Sequence, residues 1–167
     1  MQTATPAVSL EEYLRKEYEP DCDYVDGVLE DRNGGKKRHS RVQQRLILAL
    51  SPAVQPLGLE ALPEQRLRVS ETRVRIPDVC VVPITDEEVV QHPPHLCVEI
   101  LSPDDRWTRR YRCISDYLTF GVPVIWIIDH YDREAFMVTQ EHREPKQVEE
   151  LRWNDIVVPL SELLPEQ

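Results

Sequence analysis

Glycine is scarce in this chain, cysteine is scattered, and no apolar run is long; each shortage excludes something. Five glycines stand against 14 prolines, so the connections between elements are expected to be stiff, and there is neither an internal repeat nor a low-complexity segment. The cysteines Cys22, Cys80, Cys97 and Cys113 include no CxxC pair, which removes the zinc-knuckle reading. Cys80 and Cys97 sit in apolar, strand-like runs and read as buried reduced thiols. The longest apolar run, Val122 to Ile128, is too short to span a bilayer. Met1 to Ser9 carry neither a basic n-region nor an apolar h-region, so the cytoplasm is the expected compartment and no membrane partner is expected. A basic excess is missing as well. The net charge is -10, which counts against easy nucleic-acid binding, because neutralising phosphates calls for local positive charge. Two local clusters run the other way: Lys36, Lys37, Arg38 and Arg41, then Arg106, Arg109, Arg110 and Arg112. Each reads either as a solvated helix surface or as the basic part of one site.

What is present is an ordinary globular composition, 41% hydrophobic and 30% charged over 167 residues, which fits one domain over 1–167 with its core at about 10–153. Ser9 and Glu12 have the spacing of a capping box, so a first helix is expected to about Tyr18. Asp26-Gly27 between Tyr24-Val25 and Val28-Leu29 signals a two-residue hairpin. Val42, Leu46, Ala49 and Leu50 recur at helical spacing and predict a second helix over His39 to about Val54. Strands are expected over Leu59–Val69, Thr72–Val82 and Leu96–Leu101, the last apolar enough to be buried on both faces. Trp107, Tyr111, Ile114 and Leu118 form one helix stripe, closed near Gly121. With Val122–Asp129 as the next strand, Leu96 to Asp129 reads as strand–helix–strand, a parallel crossover. Edge strands within Ala135–Val158 and a turn over Leu160–Leu164 complete a mixed α/β (α+β) sheet flanked by helices.

Two acidic residues stand out because they interrupt apolar strands. Asp78 precedes Val79-Cys80-Val81-Val82 and follows Pro77, which lacks an N–H and marks a kink or edge. A buried carboxylate has to be solvated, paired or metal-bound, so an ion pair with Arg75 or Arg73 competes with a functional role. Glu99 lies inside Cys97-Val98-Glu99-Ile100-Leu101. Two carboxylates on adjacent strands can face each other and hold Mg²⁺ or Mn²⁺, which accept one or two carboxylates and retain waters.

Asp23-Tyr24-Val25-Asp26-Gly27, Arg75-Ile76-Pro77-Asp78-Val79, Val98-Glu99-Ile100-Leu101-Ser102-Pro103, and Tyr117 followed by Gly121-Val122 and Trp126-Ile127-Ile128-Asp129 together resemble the Uma2 family. These are restriction-endonuclease-like proteins of the PD-(D/E)xK nuclease fold, and the resemblance spans about Leu10 to Trp153. It implies that Asp78 and Glu99 are the motif carboxylates, with the Ile100 carbonyl as a third metal ligand. The lysine position of the standard motif holds Leu101. The position on the following helix, to which the family's lysine has moved, holds Cys113. Arg109 or Arg112, on the same helix face as Cys113, could supply the missing positive charge, although arginine is a poor proton acceptor; ordinary exposed arginines are the competing reading. Cys113 itself has no nucleophile's partners and reads as a space-filler. Asp23, and less simply the turn residue Asp26, could add a carboxylate. His39 could meet the phosphate or the metal, or merely start its helix.

The resemblance thus implies a Mg²⁺- or Mn²⁺-dependent endonuclease hydrolysing phosphodiester bonds of nucleic acid, DNA before RNA, impaired by loss of the motif lysine. A homodimer would serve to cut two strands. The alternatives are a catalytically inactive domain of the same fold, binding nucleic acid or protein, and a hydrolase of some other phosphoester.

Overall fold

The computed structural model describes residues 7–32, 36–103, 105 and 107–165. Arg106, a member of the second basic cluster, lies outside the described residues. The first helix, α1 (Leu10–Arg15), starts where expected, with the Ser9 hydroxyl accepting the Glu12 N–H at 3.1 Å. It stops well short of Tyr18. The Arg66 guanidinium donates to the carbonyls of Tyr13 and Lys16 and lies over the Tyr13 ring, so the chain turns away there. Strands β1 (Cys22–Val25) and β2 (Val28–Asp31) form the predicted hairpin. Asp26 and Gly27 both take positive φ (49° and 90°), the conformation a two-residue turn of this hand requires.

Helix α2 (Lys37–Val54) buries His39, Val42, Leu46, Leu50 and Val54, one stripe of a 3.6-residue period. The next two expected strands are each divided. Leu59–Val69 becomes β3 (Leu59–Pro63) and β4 (Leu67–Ser70), and Thr72–Val82 becomes β5 (Arg73–Arg75) and β6 (Val79–Pro83). The breaks have physical causes. Glu64 turns at a φ of 51°, and Pro77 cannot donate to a ladder. Each break passes the chain from one sheet to another: β3 and β6 pair in a six-stranded sheet, whereas β4 and β5 pair in a four-stranded one.

The remaining elements are β7 (Leu96–Leu101), α3 (Trp107–Phe120), β8 (Val124–Asp129), β9 (Glu134–Thr139), β10 (Lys146–Val148), β11 (Glu150–Trp153), β12 (Ile156–Pro159) and α4 (Leu160–Leu163). The larger sheet runs β10-β9-β8-β7-β6-β3, the smaller β2-β1-β5-β4, and β11 pairs with β12 alone. The β7–β8 pair is parallel and its neighbours are antiparallel, so the sheet is mixed, as the crossover pattern predicted.

Side-chain alternation along β6 and β7 sorts the core into two layers. Val79, Val81, Val98 and Ile100 pack with the α2 stripe, while Cys80, Val82, Cys97 and Leu101 pack with Ile114, Tyr117 and Leu118 of α3. Burying each large apolar side chain contributes about 1.5–3 kcal/mol. The α3 stripe differs from its prediction at its start. Trp107 and Tyr111 are each 46% exposed, and the buried residues are Cys113, Ile114, Tyr117 and Leu118. The inward face is therefore rotated by one residue, and it carries Arg110 into the protein.

Candidate active site

The register of β6 and β7 places the two motif carboxylates. Val79 lies opposite Val98 and Cys80 opposite Cys97, and one further step brings Asp78 opposite Glu99. Directly opposed residues share a sheet face. Both carboxylates line one cavity of about 30 Å³, room for a water or a small ion. Ile100 lines it too. Its N–H donates to Asp78 Oδ2 at 2.7 Å, and in an extended strand the carbonyl of a residue leaves on the same edge as its N–H.

Asp78 is almost wholly buried and fully engaged. Oδ1 accepts from Arg32 at 3.1 Å and lies 3.2 Å from His39 Nε2. Its backbone carbonyl accepts from Gln43 at 2.8 Å. Burial pushes its carboxyl up, but the His39 hydrogen bond, the charges of His39 and Arg32 and the Ile100 N–H outweigh burial and hold it below the usual carboxylate range. His39 answers in kind. Burial favours its neutral form, yet the hydrogen bond and charge of Asp78 prevail and raise its pKa.

Glu99 has a different environment. Its Oε2 is paired with Arg110, and Oε1 accepts from the Tyr117 hydroxyl at 2.6 Å. Burial dominates here: opposed by Arg110 and reinforced by the negative charge of Asp78, it pushes the Glu99 carboxyl up to about 7. Arg110 also donates to Asp105 at 2.9 Å, and Asp105 in turn accepts the Ser102 N–H at 2.7 Å.

The other nominated residues separate into two groups. Asp23, His39, Arg109 and Cys113 all line the cavity, but Asp23 is turned to a structural task. Its oxygens accept from Arg75 at 3.0 Å and from the Ile76 N–H at 3.1 Å, and burial raises its pKa despite Arg75. Arg109 leans toward Asp23 and Glu30, at 3.8 and 3.9 Å. Arg112 is not at the cavity: its side chain is 56% exposed and paired with Glu30 at 3.4 Å. The arginine paired with Glu99 is Arg110, while Arg109 lines the same cavity. Cys113 is buried against the site, its thiol pushed up to about 12 by burial, which suits a space-filler and not a nucleophile. Asp26 sits outside the site, bound to Thr72 and Arg73 in its turn. The ion pair that competed for Asp78 does exist, but with Arg32 in place of Arg73 or Arg75.

Arg32, Arg110 and Tyr117 are the site residues that sequence reasoning missed. The donor set of Asp78, Glu99 and the Ile100 carbonyl is all oxygen, which suits Mg²⁺ or Mn²⁺. Among the described residues no group of three His, Cys, Asp or Glu side chains is arranged to hold a metal ion, so such an ion would rest on two carboxylates, a carbonyl and waters, as Mg²⁺ commonly does.

No curated protein matches the chain. Among solved structures, a crystal structure described as that of "a putative nuclease belonging to DUF820" from Anabaena variabilis ATCC 29413 superposes with a TM-score of 0.82 at 21% identity, covering 94% of this chain and 97% of that one. That likeness shows that the two chains share a fold. No helix among the described residues is long and apolar enough to cross a membrane. The family model Uma2, described as "Putative restriction endonuclease", matches residues 10–166. With that match spanning nearly its whole length, and with Asp78 and Glu99 opposed in the sheet where the motif phrases fall, the chain belongs to the Uma2 family.

Proposed function

We propose that this protein is a divalent-metal-dependent endonuclease that hydrolyses phosphodiester bonds of nucleic acid, with Asp78 and Glu99 holding Mg²⁺ or Mn²⁺. The observation that carries the reading is the opposition of these two buried carboxylates across β6 and β7 at one cavity. A bound divalent ion supplies an activated water and neutralises charge on a phosphate oxygen. The chain's own side chains do the rest. Asp78 stays ionised because His39, Arg32 and the Ile100 N–H hold it so. Tyr117 and Arg110 fix the orientation of Glu99. Arg110 is the positive group paired with the second motif carboxylate. A guanidinium can offset charge on a phosphate but cannot accept a proton, so a slow enzyme is expected. Cutting both strands of a duplex would call on a second copy of the chain, and a homodimer belongs to the same reading.

One observation favours a second reading, a non-catalytic binding domain. Arg32 and Arg110 already occupy oxygens that a cation would take, and Cys113 stands at the lysine position. Nicking of supercoiled plasmid in Mg²⁺, Mn²⁺ and EDTA, alongside calorimetric titration of each ion, separates the two. Metal-dependent nicking lost in Asp78→Asn and Glu99→Gln supports the nuclease. Absence of both metal binding and nicking in the unaltered protein rejects it.

A further inference from the structure

Beyond the carboxylate cavity, the N-terminal half of α2 and the β8–β9 turn enclose a second cleft lined by Arg38, Arg41, Arg45, Arg133, His130 and Tyr131. Among the described residues no carboxylate lines it, although the chain as a whole has a net charge of -10. Among the described residues, Arg38, Arg41, Arg45, Arg68, Arg133 and Arg143 form no ion pair, whereas Arg15, Arg32, Arg66, Arg73, Arg75, Arg109, Arg110, Arg112 and Arg152 all do. Four of the six unpaired arginines thus converge on one hollow. They arrive there by design of the helix: positions 38, 41 and 45 follow the three-and-four spacing of a single face.

Two of the four are anchored at the rim. Arg45 donates to the Leu163 carbonyl at 2.8 Å, and Arg133 donates to the Leu164 carbonyl. Carbonyls orient a guanidinium without neutralising it, so these groups keep their full charge. Arg38 reaches over the Tyr131 ring at 5.9 Å, and Arg41 is exposed. A separate observation points to a ligand. His130 is only 7% exposed and, apart from the Leu101 main chain, its ring nitrogens have no hydrogen-bond partner among the described residues. A buried imidazole left in this way is costly unless something docks against it. The cleft therefore offers guanidinium donors, an aromatic face and an incompletely satisfied imidazole, all suited to an oxyanion.

Its position gives that anion a context. His39, bound to Asp78, lies on α2 between Arg38 and Arg41. A shallow hollow that shares Ser102, Asp105 and Arg110 with the carboxylate cavity shares Tyr131 with the arginine cleft. The intervening hollow carries Asp129 and Asp132, which would repel a phosphate, so contact is expected at the two ends and not along the middle.

We propose that the arginine cleft is a seat for backbone phosphates of a nucleic acid whose other end lies at Asp78 and Glu99. The seat rests on the nuclease reading for the identity of its ligand, but its charge and geometry do not depend on catalysis. The test is binding of a short fluorescent DNA duplex, and of the matching RNA duplex, by fluorescence anisotropy in EDTA over a range of salt. Arg38→Gln with Arg41→Gln removes two exposed charges that form no ion pair among the described residues. Arg68→Gln with Arg143→Gln removes two unpaired charges elsewhere. The cleft pair should weaken binding by about tenfold or more and lower the slope of log affinity against log salt by about 2, leaving the control pair close to the parent. The stronger-binding arm tells which nucleic acid it is. Equal losses in both pairs, no loss in the cleft pair, or no binding by the parent protein would overturn the seat. Cleft-dependent binding without nicking in Mg²⁺ would reject the nuclease and keep the seat. Nicking that ignores the cleft pair, with affinity unchanged, would do the reverse.

Discussion

Two buried clusters of arginine and carboxylate lie side by side in this molecule, and they differ in what they leave open. Around Arg75, a side chain with 0% exposure, Asp23, Glu30 and Asp116 accept at 3.0, 2.9 and 2.8 Å. Arg73, Arg109 and Arg112 supply further positive charge to the same three acids. That cluster ties β1, β2 and β5 to α3 and is electrically replete. Around Asp78, Glu99 and Asp105, the described cationic partners include Arg32, Arg110 and the imidazole of His39. There Asp78 is held ionised while burial drives Glu99 toward its protonated form. Ion pairs of like chemistry can thus brace a fold or, on the nuclease reading proposed above, line a cavity that takes a cation.

The sharpest way to break this distinction is at the carboxylates themselves. Asp78→Asn or Glu99→Gln should lower plasmid nicking by about a thousandfold or more, the scale of losing a central electrostatic group, and should lower the unfolding midpoint less than the loss of Arg75 does, because an amide oxygen can still accept from Arg32 or Arg110. A large loss of stability with no change in nicking would reverse the assignment of the two clusters. Arg75→Met should do the opposite. It strands three acids, and breaking a buried pair costs about 3–5 kcal/mol, readable as a shifted urea midpoint.

Arg110 sharpens the comparison because it belongs to the open cluster yet behaves as a brace. Arg110→Gln should slow nicking by about ten- to a hundredfold, while Mn²⁺ titration shows binding that is no weaker than the parent's. Weakened metal binding would mean that Arg110 builds the site instead of competing for it. The smallest effect is expected at cysteine. Burial raises the thiols of Cys22, Cys80, Cys97 and Cys113, so none should react with a thiol reagent at neutral pH until denaturant is added. Cys113→Ser should change nicking by less than about twofold, within the range of a packing adjustment.

Much of the architecture could be read from the chain because its signals were local. The capping box at Ser9, the Asp26-Gly27 turn, the α2 stripe and the parallel β7–α3–β8 unit each follow from a few neighbouring residues. The divided strands were not legible. Alternation across Pro63–Leu67 and Arg75–Val79 looks continuous, and only the three-dimensional sheets reveal that the chain changes partners there. Asp78 and Glu99 announced themselves as charges in apolar strands. Arg110 did not, because the large aromatic rings of Trp107 and Tyr111 drew the inward stripe one residue aside. Counting back four from Ile114, and seven from Tyr117, would have found it. Arg32 follows a short hairpin strand with no pattern of its own, and only the approach of β2 to the larger sheet brings it to Asp78.

Pro77 has an effect out of proportion to its size. Continuing the β6–β7 register would set it against Ile100, where an ordinary residue could add one more rung and zip the two strands together. A ring without an N–H leaves that rung unmade, and the Asp78 side chain, instead of a main-chain partner, takes the Ile100 N–H. The strands stay parted like a fork at the one point where opposed acids and a spare carbonyl edge coincide. The notch is built into the main chain, so it persists whatever the surrounding arginines do.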